Sequence, residues 1–312
     1  MLKRRFVKCF PVIWLILGLG PLAAQSVDFP NHRWGISFGN SREFTGLRFN
    51  FRDHGVRRLS GINITLWTPR EENSESTVSG LSFGFIPGGG TLRGLQVGIL
   101  GVAGVKNIKG LTVGLLGAGC GGDMTGINFG GLGIGAGGSL SGISFGGLGL
   151  GSGKNLTGLS LGGLGGGAGE NATGIQVGGL GFGAGKNLTG LTIAGLGAGA
   201  GETIRGITLC GIGLGAPAIR GLSVAGVMVG SPDYQGIAVA GGSVYIMGRP
   251  EARFSGLAAS AVNWVDGRLT GLSVGLLNFA RELHGVQVGL VNIALNNRRG
   301  LKVLPVANFH FD

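Results

Sequence analysis

The feature that most constrains this chain is a glycine that returns at a fixed interval. A unit of the form Gly-apolar-x-apolar opens at Gly94 and again at Gly110, Gly126, Gly142, Gly158, Gly174, Gly190 and Gly206, always sixteen residues apart. Similar openings lie before and after this block, at Gly46, Gly61 and Gly80 and at Gly221, Gly236, Gly256, Gly271, Gly285 and Gly300, where the spacing drifts between 14 and 20. A fixed period of this length dictates the architecture before any local propensity does, because each unit becomes one structural repeat.

The positions of the unit are numbered here from its opening glycine. Positions 2 and 4 are apolar and position 3 is mostly polar, as in Leu159-Ser160-Leu161, Ile175-Gln176-Val177 and Leu191-Thr192-Ile193. This alternation is that of a strand. Position 7 is apolar again, positions 8 and 10 are glycine from Gly133 to Gly215, and position 14 carries turn residues such as Asn155, Asn171 and Asn187. Positions 2 and 4 are even, whereas 7, 9 and 11 are odd, so one straight strand cannot bring both sets to the same face. A corner at the Gly-Gly of positions 5 and 6 would reconcile them. The expectation is then that Leu159, Leu161 and Leu164 point into a common interior, while Ser160, Gln176 and Thr192 face out. The glycines at positions 8 and 10 would form a bare outer ridge, either easing tight curvature or letting another surface approach closely.

Two all-β architectures suit such units. The first is a β-solenoid with one coil of ~16 residues per unit. The alternative is an up-and-down outer-membrane β-barrel of about 16 strands, one per unit. Successive turns of equal length ("GKNLT" at 153–157 and 185–189 around "GENAT" at 169–173) and the absence of Trp and Tyr from 94–221 favour the solenoid, since barrels alternate short and long loops and carry aromatic girdles. In a solenoid Cys120 and Cys210 lie six coils apart, roughly 29 Å at 4.8 Å per rung, far beyond the ~7 Å limit of a disulfide.

The ends of the chain depart from the unit. Residues 1–24 read as a secretory signal peptide: Lys3, Arg4, Arg5 and Lys8 precede the apolar "FPVIWLILGLG", and "PLAAQS" offers small residues for cleavage. Residues 25–93 read as an N-terminal cap with irregular repeats and a polar loop at 66–79, residues 94–235 as the regular block, and residues 236–312 as irregular repeats with a C-terminal cap. Glycine supplies 71 of 312 residues without a three-residue period, which excludes a collagen helix. The formal charge of +11 falls to +7 once the four basic residues of 1–24 are removed. That balance suits anionic envelope components, lipid headgroups or acidic polysaccharide, or another protein surface as partner.

No catalytic constellation emerges. "GLGLGSGKN" at 147–155 fails as a phosphate loop, because Leu148 stands where its first glycine belongs and Asn155 follows Lys154 in place of Ser or Thr. His32, His54, His284 and His310 are scattered without ligand spacing, and Glu71, Glu72 and Glu75 read as a solvated run. The expectation is a protein with no enzymatic activity, cofactor, metal, nucleic acid or small-molecule substrate.

The C-terminal units, "GLSVGLLNFARELHGVQVGLVNIALNNRRGLKVLPVANFHF" at 271–311, carry a "GLxVGLxN" cadence. In this the chain resembles bacterial surface repeat-containing proteins, more loosely back to about Gly94. The resemblance implies an exported, envelope-associated protein and brings no catalytic residues to carry over. The middle units depart from that cadence, with glycine in place of the asparagine.

Overall fold

The computed structural model describes residues 26–70, 74–248 and 252–311; the expected signal segment lies outside them. The described residues are all strand, turn and bend, with no helix. The chain forms a β-solenoid in which each coil pairs in parallel with the one before it. Between Trp34 and Val288 the rung-to-rung pairing is parallel throughout. A barrel of hairpins would pair antiparallel, so the barrel alternative falls.

The sixteen-residue period is the physical condition for this stack, because it places each residue on its own counterpart. Leu156 pairs with Ala172 and Ala172 with Leu188; Ser160 pairs with Gln176 and Gln176 with Thr192. Each regular coil has a long strand such as Leu156–Gly162 and a short one such as Gly165–Ala168, separated by bends at positions 6–7 and 12–13. Where the spacing departs from sixteen, the difference falls in the bends and the strands keep register. Gly206 still pairs with Gly221 and Gly236 with Gly256.

The opening glycine is the invariant of the stack, and it starts one coil earlier than the sequence suggested. Gly35 pairs with Gly46, and the column continues rung by rung to Gly285. Gly300 does not join it; that residue lies in the turn before the last strand. Each column glycine has positive φ (+115° at Gly174), and a Cβ there would sit 2.3 Å from the Gly158 carbonyl oxygen. Only glycine meets both conditions. The expected corner at positions 5 and 6 is not built this way. Gly162 and Gly163 lack positive φ; they are needed because a Cβ would meet the Gly165 oxygen at 2.1 Å and the Gly147 oxygen at 1.8 Å.

The interior inverts the expected register. Ser160, Gln176 and Thr192 are 1 %, 0 % and 1 % exposed, and position 3 forms a polar column inside the stack. Leu164 is 51 % exposed and Ile175 45 %, so positions 2 and 7 face out, and the position-4 side chains face out between them. The core is filled from odd positions instead: position 15 (Ile108, Met124, Leu140, Leu156), position 9 (Ile134, Leu150, Phe182, Leu214) and the small residues of positions 5 and 11. The reason is strand parity. The long strand runs through positions 15 to 5 without reversal, so a buried Leu156 carries Ser160 inward with it and turns Leu159 and Leu161 outward. Gly166, where a Cβ would stand 2.6 Å from the Phe182 ring, leaves the space that ring occupies.

Both ends are closed by antiparallel strands, Ser26–Pro30 on Trp34–Gly39 and Val303–His310 on the strand Leu277–Ala294. Such caps cover the open edges that a parallel stack would otherwise present. At the N-terminal end the polar column begins with Ser37, fully buried, and its next member forms a buried ion pair. Arg48, at position 3, donates to Asp53 Oδ1 at 2.7 Å and to Asn63 Oδ1 at 2.8 Å. At the C-terminal end the bend at 6–7 is one residue shorter, so Asn263 pairs with Val244 and position 8 moves into the interior site that position 9 holds elsewhere. There Asn263 donates to Asn278 and Asn278 to Asn292, each at 2.8 Å. This buried ladder is the asparagine of the "GLxVGLxN" cadence.

Candidate interaction surface

The solenoid converts each position of the unit into a column, so its exterior is organised by position. Position 2 is aliphatic on every stacked coil from Ile36 to Val286, and position 4 is apolar from Phe38 to Val288. Position 7 adds Leu116, Leu132, Leu148, Leu164, Leu180, Leu196 and Ile212 along the neighbouring bend, all about half exposed. Phe129 and Phe145 stack outside at a centroid separation of 5.1 Å. A half-exposed aliphatic side chain leaves roughly 30–60 Å² open, so three columns over about a dozen coils leave on the order of 1,000–2,000 Å². The largest patch on an ordinary monomer is ~300–600 Å². Such a flank is a candidate interaction surface.

Charge lies elsewhere on the coil. Taken by register with the sixteen-residue units, every Lys, Arg, Asp and Glu between Gly94 and Gly248 falls at positions 13, 14 or 16. The acids Asp123, Glu170, Glu202 and Asp233 take 13 and 14. Position 16, which shares its outward face with positions 2 and 4, carries Arg93, Lys109, Arg205 and Arg220 among Thr, Ser and Gln235 and holds no acid. Arg93, Lys109 and Arg205 are exposed and make no ion pair among the described residues, whereas Arg220 pairs with Asp233. Beside Asp233, Arg253 foremost and Arg220 with it hold the carboxyl below the usual carboxylate range against the effect of burial. Position 14 also carries the asparagine stack, Asn187 donating to Asn171 and Asn171 to Asn155 at 2.9 Å each.

The glycines of positions 8 and 10 do form an outer ridge, and the two columns differ. At position 8 an added Cβ would stand 3.2 Å from the next coil's oxygen at Gly133 and Gly149. At position 10 it would meet nothing within 4 Å at Gly119 and Gly135, and only ordinary contacts at Gly151 and Gly183. Apart from Gly167, where the Cβ would stand 3.2 Å from the Gly183 oxygen, contacts within the fold do not require glycine at position 10.

Of the residues weighed for chemistry, the fold brings His284 and His310 edge to face at a centroid separation of 6.1 Å, with Arg268 beside the first and Asn297 beside the second; the others remain apart. Cys120 and Cys210 are free and buried in the core, and burial raises both thiols above their ordinary range. Glu75 is engaged by Lys106 at 2.6 Å; Glu71 and Glu72 lie outside the described residues. A concavity of about 400 Å³ has Asp53, His54, Arg70 and Ser76 in its wall. Asp53 is committed to Arg48, Asn50 and Thr65, and the rest of the wall is mainly glycine and small apolar residues.

The exposed flank was not foreseen, although a signal for it exists. In the regular units no charged residue occurs from position 2 to position 11, and position 3 is restricted to Ser, Thr, Asn and Gln. A water-facing column would admit Lys or Glu somewhere, whereas a column of uncharged polar side chains suits a stacked interior. Comparison of the chain with protein-family models, with curated proteins and with solved structures finds no match.

Proposed function

We propose that this protein is an exported, non-enzymatic scaffold of the cell envelope that works by docking its repetitive exterior on another surface. The carrying observation is the apolar flank of positions 2, 4 and 7, which runs the length of the stack. A soluble protein free in solution has no use for so large an open apolar face. The basic n-region and apolar run within 1–24, and the resemblance of 271–311 to bacterial surface repeat proteins, support export to the envelope. A rigid rod with a repeating side suits adhesion or scaffolding, where many weak identical contacts add up along the stack.

Fractionation of cells producing the full chain tests the reading. The protein is expected in the envelope fraction with residues 1–24 removed, released by mild detergent and migrating identically before and after boiling. Recovery in the cytosolic fraction with residues 1–24 still attached would refute it.

A further inference from the structure

We infer that the apolar flank is a lipid-docking surface, seated on a bilayer leaflet with anionic headgroups. The inference deepens the envelope reading and rests on it for the presence of such a leaflet. The flank extends on the order of 75 Å at 4.8 Å per rung, with aliphatic side chains in every coil; the one charge in its columns is Arg52, at position 7 of an N-terminal coil, whose Nε donates to the Thr68 carbonyl at 3.0 Å.

The row beside it names the partner. Arg93, Lys109 and Arg205 at position 16 project from the same strands as Leu95, Leu111 and Ile207, one outward step away across the column glycine. Long basic side chains lay their stems on apolar surface and raise their charged ends to a phosphate layer. The acids stand two or three residues farther back, at positions 13 and 14, which leaves the border of the flank purely basic. A second copy of the chain would bring no acidic row to meet this one. An anionic leaflet meets both the apolar columns and the basic border.

The backbone fits hydrocarbon contact as well. A polar backbone group facing lipid must be paired inside the protein. In the bend that carries the position-7 column, Leu148 donates to the Leu132 carbonyl at 2.7 Å, Leu164 to Leu148 at 2.7 Å and Leu180 to Leu164 at 2.6 Å. A bend in water could leave these groups to solvent; here they continue the ladder, and the leucines stand outside it.

Flotation of the purified full chain with phosphatidylcholine vesicles, with and without phosphatidylglycerol, tests the inference. The protein should float with the anionic vesicles and far less with the neutral ones. One basic side chain near an anionic leaflet contributes about fivefold in partitioning, so the triple variant R93S/K109S/R205S should lose about a hundredfold. The triple variant L132S/L148S/L164S should lose a similar factor on both vesicles, with unchanged β circular dichroism because all three side chains are exposed. Equal flotation with both vesicle types would overturn the anionic part. Absence of flotation, or a leucine variant that floats like the parent, would overturn lipid docking. A dimer in light scattering that the leucine variant abolishes would assign the flank to a second copy instead. Envelope fractionation without flotation would remove lipid docking alone, whereas cytosolic recovery with residues 1–24 attached would remove the envelope reading itself.

Discussion

Placing one carboxyl at position 3 and one at position 7 separates the two sides of the coil wall. Ser160 is stacked between Ser144 and Gln176 and is 1 % exposed, whereas Leu164 is 51 % exposed on the bend that follows. In Ser160→Asp the new carboxyl has no cation nearby; it stays neutral until its elevated pKa is passed. A shift of roughly 3 from the ordinary ~3.9 is typical of such burial. At about 1.36 kcal/mol per unit, that costs about 4 kcal/mol at pH 7. Leu164→Asp keeps its charge in water and loses only the buried half of a leucine, about 1 kcal/mol. The pH dependence follows from the sign of the shift. A carboxyl with a raised folded pKa carries no penalty below its unfolded value, and the penalty grows as pH rises toward the folded one. The Ser160→Asp deficit should therefore be small near pH 4 and full near pH 7. Urea unfolding followed by circular dichroism at both pH values reads this directly. Equal damage from the two substitutions, or a Ser160→Asp deficit indifferent to acid, would refute the register.

Three further outcomes follow from the same geometry. Gly174→Ala should cost several kcal/mol, since it combines positive φ with a 2.3 Å clash against the Gly158 oxygen, whereas Gly135→Ala at position 10 should be neutral or stabilising by up to about 1 kcal/mol in a thermal melt. Asp233 has a lowered carboxyl because of Arg253 and Arg220, so its contribution is present above about pH 4 and lost as pH falls through the lower folded value; Asp233→Asn should remove about 1 kcal/mol at neutral pH and flatten that part of the acid limb. Deleting 158–173 joins Thr157 to Gly174, a junction the stack already contains, and should yield a folded rod shorter by about 4.8 Å in small-angle scattering, whereas deletion of 158–165 should aggregate because the columns fall out of line.

The coil was legible because spacing alone reports it: residues sixteen apart share a column, and that needs no knowledge of which face is wet. The position of Cys120 at 11 and Cys210 at 5 of units six coils apart likewise sufficed to keep their thiols separate, as the structure has them. The wet face is not legible in this way, because hydrophobicity does not mark the interior of this coil. Leu156 and Leu161 are equally apolar and lie five residues apart on one strand, so they cannot both point inward without a break between them. The positive-φ glycine between them, Gly158, bends the strand without reversing its sides. Sequence parity identifies the conflict without deciding which set goes inside.

Taken together, the columns show how a repeat can select its surroundings. Inside, position 3 stacks hydroxyls and amides, and several of them, Gln176 and Thr112 included, find no partner there. A fold selected only for stability in water would replace these with aliphatic residues, gaining about 1–3 kcal/mol for each buried polar group removed. It would also turn its outer leucines into charged side chains. The chain does the reverse in coil after coil, at a cost that one coil could bear but that accumulates over the stack. Repetition of the same arrangement along the whole rod means that whatever offsets the cost must act along the whole rod too. A single pocket cannot do so. A continuous apolar medium against positions 2, 4 and 7 can, which is why the vesicle experiment bears on the stability of the fold as much as on its location.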